Sequence, residues 1–296
     1  MTFNPLIIKP LYKAQKETLS ILKMQSDLGE LKYPIVYIAN EMDTLWEKCL
    51  PLRECDELAF NDQNNLSRAW NIGMNIAKSN GYSHLIILSN DILVSNEILD
   101  KLAQIMDEKN LDVISPSELF INTVNKYLNK NIPTSSYLDY KNKHSIVSEK
   151  KDYKIRMNIY FSCTVIRLNR EYAPFDENYK IYYSDVDFLL ANYYEDFKKN
   201  GQIAKVGTCE DLFFLHIRDL ASTISVKSRS IDDIVNDLVS DAEIYYNKYR
   251  HDWKAICQFV YIALGLRIES TLTPNGYFDK ENFRRFETDF KILDAL

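Results

Sequence analysis

The sequence predicts an α/β fold in which helices flank a mostly parallel central sheet. Apolar runs of strand length alternate with helix-like segments in the first half of the chain, as they do in βαβ units. The 296 residues are 46% hydrophobic and 26% charged, which is enough apolar material for one substantial core. The apolar run from Ser83 to Val94 also carries an acid, Asp91, just beyond a predicted strand. Open α/β sheets bind ligands at that end of their strands.

The elements follow in order along the chain. Strands are expected at Leu6–Ile8, Ile35–Ile38, Leu85–Leu88 and Asp112–Ser115, the last of them stopped by Pro116. Helical segments at 14–25 and 65–78 separate the first three, and a further strand at 158–167 precedes a helix that opens within 181–190. The spacing therefore predicts a parallel sheet built from βαβ units.

The C-terminal part is predicted to be helical. From Ser230 onward the apolar residues recur at helical spacing on one face, and further helices are expected at 253–266 and 280–293. We therefore expect a main domain at 1–227, with a basic, tyrosine-rich insertion at 118–157, and a helical C-terminal region at 228–296 packed on it as an appendage.

Charge separates the insertion from the rest of the chain. The formal charge of −6 argues against indiscriminate nucleic-acid binding, but 126–156 holds eight Lys or Arg against three acids, with tyrosines between them. One interpretation is a solvated loop without a partner. The other is a loop on the acceptor side that binds a polyanion, with Lys150, Lys151 and Tyr153 as its contact residues.

Cysteine usage and the termini favour a cytoplasmic protein. The five cysteines are scattered and form no CxxC pair, so neither a disulfide framework nor a zinc site is expected. The N-terminal segment is interrupted by Pro5 and Pro10, unlike a signal peptide. The longest late apolar stretch, Ile256–Leu266, is about half of the ~20 residues that a membrane span requires.

Three places in the sequence carry side chains suited to catalysis. Asp91 at a strand end is a candidate ligand for a divalent ion, or else a turn residue. Asp185 and Asp187 open a helix, where acids act as bases or simply stabilise the first turn. His216 follows the apolar run Leu212–Leu215 and is either a ligand or a structural histidine.

The order of these motifs resembles that of GT-A glycosyltransferases of family 2. Ser89-Asn90-Asp91 is similar to the DXD motif. Ser184-Asp-Val-Asp187 is similar to the family's Glu-Asp-Val-Asp stretch, and Phe175-Asp-Glu177 precedes it at the distance that the family shows. His216 is similar to the family's histidine at a strand end. The resemblance spans about residues 6–223, and Ser89 and Ser184 stand where the family has acids.

The resemblance implies an inverting transferase with a GT-A fold and a divalent metal, Mn²⁺ or Mg²⁺. Asp185 would be the catalytic base, with Asp187 orienting a neighbour or binding the acceptor, and Asp91 and His216 would hold the metal and diphosphate. The implied donor-binding residues are Asn40, Glu41, Arg68, Asn71, Asn90, Asp91 and Arg218. Asn71-Ile-Gly73 resembles the family's Asn-x-Gly, although Gly73 is alternatively a close-packing glycine.

The implied partners are a nucleoside diphosphate sugar, carrying a hexose or a pentose, and an acceptor hydroxyl. The acceptor would be a glycan, or a hydroxylated or already modified DNA base if this is a viral protein that acts in the cytoplasm of its bacterial host. A catalytically silent GT-A-like module that binds a nucleotide sugar or a polyanion is the alternative, and Ser89 and Ser184 keep it open. The oligomeric state is left undetermined.

Overall fold

The computed structural model describes residues 2–13, 15–120, 153–156, 159, 161–201, 205–217 and 230–264. Within these residues nine strands form one sheet. The strands are β1 Pro5–Leu11, β2 Ile35–Ala39, β3 Glu57–Phe60, β4 His84–Leu88, β5 Ile92–Leu93, β6 Val113–Phe120, β7 Ile155–Arg156, β8 Cys163–Arg167 and β9 Val206–His216.

Helices cover both faces of this sheet. They are α1 Gln15–Leu28, α2 Leu45–Cys49, α3 Leu66–Ser79, α4 Asn96–Glu108, α5 Ser184–Asn200, α6 Ile231–Tyr249 and α7 Trp253–Leu264, with 3₁₀ turns at Asn40–Met42 and Arg250–Asp252. Helix α3 starts after Asn65, whose side chain accepts the Arg68 N–H. Helix α5 ends at Gly201, whose φ of +65° is the left-handed geometry that favours glycine.

The strand order is β3-β2-β1-β4-β8-β6-β9-β5, and β7 pairs with β9. Strands β3, β2, β1 and β4 are parallel; β8 is antiparallel to both β4 and β6, and β9 is parallel to β6. Six of the nine described strands therefore run in one direction. The predicted α/β fold with a mostly parallel sheet flanked by helices is confirmed, and the described part of the C-terminal region, 230–264, is helical.

Two boundary predictions are wrong. The strand expected at 158–167 begins only at Cys163, and the expected end of β6 is too early. Strand β6 does not stop at Pro116 but continues to Phe120 alongside β9. The register of this pair shifts between Pro116 and Ser117, and such an irregularity accommodates a residue that has no N–H to donate.

The alternation of side chains along the strands fills a core on each face of the sheet. Leu6 and Ile8 of β1 face α3, α5 and the C-terminal helices, whereas Ile7 and Leu11 face α1, α2 and α4. Helix α3 lies very close to β1, because a Cβ on Gly73 would come within 2.4 Å of Ile8 Cγ2. The alternative interpretation of Gly73 as a close-packing glycine is therefore confirmed.

Helix α7 packs on α5 through aromatic side chains. The Phe259 ring lies 5.3 Å from that of Phe197 and 5.7 Å from that of Tyr194, both in edge-to-face contact. The predicted helix at 280–293 and the domain boundary at 227/228 fall outside the described residues, as does most of the insertion at 118–157, so these stay predictions.

Two findings concern disulfide bonds and membrane-spanning helices. None of the five cysteines forms a disulfide bond. No helix in the described parts of the chain combines the length and the apolar character that crossing a membrane would require.

Candidate functional site

The carboxyl end of the sheet brings Asp91 and His216 together. Asp91 follows β4, and His216 is the last residue of β9. Because β5 pairs with β9 and Ile92 lies opposite His216, His216 Nε2 comes within 3.1 Å of Asp91 Oδ2. The Ile217 N–H also donates to the Asp91 carbonyl at 2.9 Å. The two residues thus converge, as a shared site would require.

Glu118 completes this cluster, and sequence reasoning missed it. Its carboxylate hydrogen-bonds the other ring nitrogen of His216, Nδ1. Glu118 lies on the part of β6 beyond Pro116, where the strand was expected to have ended. The imidazole therefore lies between two carboxylates, and the three side chains are at most 17% exposed.

This cluster contains three ionisable side chains although it is largely buried. Burial lowers the pKa of His216, but its hydrogen bonds to Asp91 and Glu118 outweigh burial and raise this pKa to about 9. Lys9 of β1, which sequence reasoning also missed, is 1% exposed. Burial lowers the pKa of Lys9 to about 8, opposed by the negative charge of Asp91. A lysine inside an otherwise apolar strand was the available signal.

The donor set fits a divalent ion held by two protein groups. Among the described residues, no three or more His, Cys, Asp or Glu side chains form a preformed metal cluster. Asp91 Oδ2 and His216 Nε2 are 3.1 Å apart, close to the ~3 Å between neighbouring ligand atoms in an octahedral shell with bonds of about 2.1 Å. Glu118 contacts Nδ1, the position at which an outer carboxylate orients the histidine in known metal sites.

Asp185 lies in the first turn of α5 with a half-buried side chain. Burial raises the pKa of its carboxyl group, and the Val186 N–H, which donates to Oδ1 at 2.9 Å, opposes that rise. Within the described part of the chain no cation pairs with this carboxylate. The start of α5 is fixed to the start of α3 by the Ser184 and Ser67 hydroxyls, 2.7 Å apart. Since α3 follows the carboxyl end of β3, Asp185 lies toward the same end of the sheet as Asp91.

Asp187 is placed differently from Asp185. It is 1% exposed, and its Oδ1 accepts hydrogen bonds from Lys248 Nζ and Tyr249 Oη at 2.7 Å each, both on α6. The Tyr179 hydroxyl adds a longer bond of 3.3 Å. These contacts join α5 to α6 and leave no part of Asp187 open to an acceptor, so of its two suggested roles they favour orientation.

The hydrogen bonds of Asn71 count against its predicted contact with the sugar donor, which stays a prediction. Its Nδ2 donates to the Phe175 carbonyl and to Glu177 Oε1 at 2.9 Å each, and its Oδ1 accepts the Phe175 N–H at 2.9 Å. Both N–H bonds of the side-chain amide are therefore engaged within the protein. Arg68 remains half-exposed, with Asp62 at 3.1 Å and Glu177 at 3.6 Å.

The carboxyl ends of β1 and β2 present a second polar group. Asn40 is 2% exposed and its Oδ1 accepts from Asn61 Nδ2 at 2.8 Å, so its contact with the sugar donor stays a prediction. Glu41 is exposed and pairs with Lys13 at 3.3 Å. Both Glu41 and Lys13 have positive φ, of 57° and 38°, a strained backbone that is often found at ligand sites.

The remaining candidates are not exposed in the described structure or lie outside it. Asn90 is buried beside Asp91. Tyr153 is 6% exposed in the core layer next to α4, with Lys101 Nζ 5.0 Å from the centre of its ring, so little of the ring is open to an acceptor. Lys150, Lys151 and Arg218 lie outside the described residues.

Comparisons with known proteins give likeness in structure only. No family model and no curated protein matches the sequence. The crystal structure of residues 1–349 of Staphylococcus aureus TarS is similar at 13% identity and a TM-score of 0.48, over 97% of this chain and 91% of that chain. The same TarS fragment in complex with UDP-GlcNAc is similar at 12% identity and a TM-score of 0.49, with the same coverage. Identity at this level assigns neither a substrate nor a reaction to this chain.

Proposed function

We propose that this chain is an inverting glycosyltransferase that moves a hexose or pentose from a nucleoside diphosphate to an acceptor hydroxyl. The observation that carries the proposal is the contact between Asp91 and His216 at the carboxyl end of the sheet. Ligands of open α/β sheets bind at this end, and the half-buried carboxylate of Asp185 lies toward it.

In this proposal Asp185 is the general base. The acceptor oxygen attacks the anomeric carbon of the donor from the face opposite the diphosphate, so the carbon–oxygen bond to the diphosphate breaks and the configuration inverts. The proton of the acceptor hydroxyl passes to an Oδ atom of Asp185. Burial suits this carboxyl group to the task, because it raises the pKa and so makes the carboxylate a stronger base.

Asp91 and His216 are the groups that would hold a divalent ion, Mn²⁺ or Mg²⁺. When bound, such an ion neutralises the charge that develops on the departing diphosphate. Glu118 would keep the His216 ring in the orientation that presents Nε2 toward Asp91. Lys9, in the strand layer, would add positive charge near Asp91.

The first experiment identifies the donor and tests the base. Purified protein is screened for thermal shifts with nucleotide sugars, with and without Mn²⁺, and UDP-GlcNAc belongs in the set because one similar structure contains it. Release of nucleoside diphosphate is then followed with candidate acceptors. Asp185→Asn should lower turnover by at least about 100-fold while donor affinity stays within about threefold.

Asp196→Asn is the matched control, because Asp196 is an exposed aspartate of the same helix. It should retain wild-type turnover. Retained turnover in Asp185→Asn would discard the base assignment. A donor that binds the wild-type protein but is never turned over would instead favour the catalytically silent binding module.

The acceptor is a glycan or, as the basic segment suggests, a hydroxylated or already modified DNA base. For DNA, the logarithm of the binding constant should fall linearly with the logarithm of salt concentration. Replacing Lys150 and Lys151 by alanine should reduce that slope by about 2, close to one unit for each lost phosphate contact. A slope unchanged by the double substitution would remove these lysines from the acceptor site.

A further inference from the structure

Helix α6 holds the segment that leads into the base helix. Asp241 of α6 is 0% exposed, and its carboxylate accepts three consecutive backbone N–H groups. Lys180 donates to Oδ1 at 3.1 Å, and Ile181 and Tyr182 donate to Oδ2 at 3.0 and 2.8 Å. An anion bound by successive backbone N–H groups fixes the course of the chain at that place.

The next residue, Tyr183, has a left-handed backbone with φ of 61° immediately before α5 begins. A bulky residue keeps such a geometry only where its surroundings impose it. Here the Tyr183 ring stacks on that of Tyr245 of α6, with the ring centres 4.9 Å apart and the planes at 19°. Helix α6 therefore imposes the turn from which Asp185 projects two residues later.

Helix α3 also holds this segment. The Lys180 carbonyl accepts the Leu66 N–H at 2.7 Å, and the Ser184 hydroxyl is bonded to Ser67. Because α3 is seated on β1, this pair of bonds relates the turn to the carboxyl end of the sheet. The two helices together determine where Asp185 stands relative to Asp91.

We propose that Asp241 is a positioning residue for Asp185, so that the C-terminal helices are a working part of the catalytic apparatus. This inference rests on the proposed function. Asp241 cannot itself touch substrate, because it is completely buried and its carboxylate faces the backbone of residues 180–182. It acts by holding the base where an acceptor hydroxyl can reach it.

The test compares Asp241→Asn with Asp232→Asn. The first variant turns one acceptor oxygen into an N–H₂ group that faces a backbone donor, and the second makes the same change at an exposed position of the same helix. In Asp241→Asn, kcat should fall by about 10- to 100-fold, with the donor Kd within about threefold. The acid limb of the pH dependence of kcat should also move, and the amides of residues 180–182 should exchange faster with solvent. Asp232→Asn should behave as the wild-type protein does.

Asp241→Glu keeps the charge and serves if Asp241→Asn does not fold. It should give an intermediate kcat together with the displaced pH profile. A folded Asp241→Asn with wild-type kcat and pH profile would overturn the positioning role, while an inactive Asp185→Asn in the same assay would leave the proposed function intact. A loss of kcat that only follows the unfolded fraction, with an unchanged pH profile, would also overturn it. An active Asp185→Asn would instead overturn the assignment of the base.

Discussion

The Ser67 hydroxyl donates a hydrogen bond to the Ser184 hydroxyl, with 2.7 Å between the two oxygens, and both residues are completely buried. This bond ties the first turn of α5 to the first turn of α3, although 117 residues separate the two serines. It also gives a physical reason for the serine at position 184. A glutamate there would place a charge in this buried contact, and an unpaired buried charge is strongly unfavourable. The placement of Asp185 thus depends on how α3 is seated on the sheet.

Gly73→Ala should destabilise the protein, because it disturbs that seating. The new Cβ would lie 2.4 Å from Ile8 Cγ2 and 2.8 Å from Ile8 Cδ1, so the Ile8 side chain, the helix or the strand must move. We expect a loss of about 1–3 kcal/mol in the free energy of unfolding, measured with urea. The double variant with Ile8→Ala should lose less than the sum of the two single variants. A Gly73→Ala protein more stable than wild type would mean that only the gain in helix propensity, about 1 kcal/mol, is felt.

Asn71→Ala should act on stability rather than on the donor. The substitution leaves the Phe175 N–H and carbonyl without partners in a buried place, at a cost of about 2–4 kcal/mol. Donor affinity of the folded variant should stay within about threefold of wild type. The exposed Asn178 is the control, and its replacement by alanine should change stability much less. A selective loss of donor affinity at unchanged stability would restore Asn71 to the donor site.

The fold and the meeting of Asp91 with His216 could be predicted because each depends on local pattern and chain order. Apolar runs bounded by turn residues indicate strands, and parallel strands bring their carboxyl ends to one edge. Asp91 and His216 each follow such a run. The direction of the strands places both residues at one edge, and the pairing of β5 with β9 brings them into contact.

Residues whose role depends on distant pairing could not be predicted in this way. Glu118 reaches His216 only because β6 continues past Pro116 beside β9, and a proline normally indicates the end of a strand. In the sequence Asp241 is one of several acids in a helical segment. Its role depends on the packing of α6 against residues 180–182, which the sequence pattern does not show. Asn71 is of a residue type that could contact the sugar donor, but it is hydrogen-bonded to a backbone segment 104 residues away.

Glu118→Gln tests whether the missed carboxylate orients a metal-binding histidine. A glutamine keeps the shape but weakens the hydrogen bond to Nδ1, which lowers the basicity of Nε2. We expect Mn²⁺ affinity in the presence of the donor to fall by about 10- to 100-fold, measured by calorimetry. Glu97→Gln, an exposed position on α4, should have no effect. Equal Mn²⁺ affinity in both variants would exclude this role for Glu118.

The pKa of the buried His84 predicts that the free energy of unfolding decreases as the pH falls. It is 2% exposed at the start of β4, and burial, followed by the positive charge of Arg167, lowers its pKa from 6.5 to about 4. Between these two pH values His84 is protonated in the unfolded chain but neutral in the folded chain, so the free energy of unfolding falls as pH falls. The contribution of this one group between pH 7 and pH 5 is a loss of about 2 kcal/mol.

The measurement compares wild type with His84→Phe by urea unfolding at pH 7 and pH 5. Phenylalanine keeps a ring against Phe3, whose ring centre lies 4.9 Å from that of His84, but it cannot take up a proton in either state. Other groups titrate alike in both proteins, so they cancel in the difference between the two pH dependences. The variant should therefore lose about 2 kcal/mol less than wild type between the two pH values. Parallel losses in the two proteins would mean that His84 is protonated in the folded state as readily as in the unfolded chain.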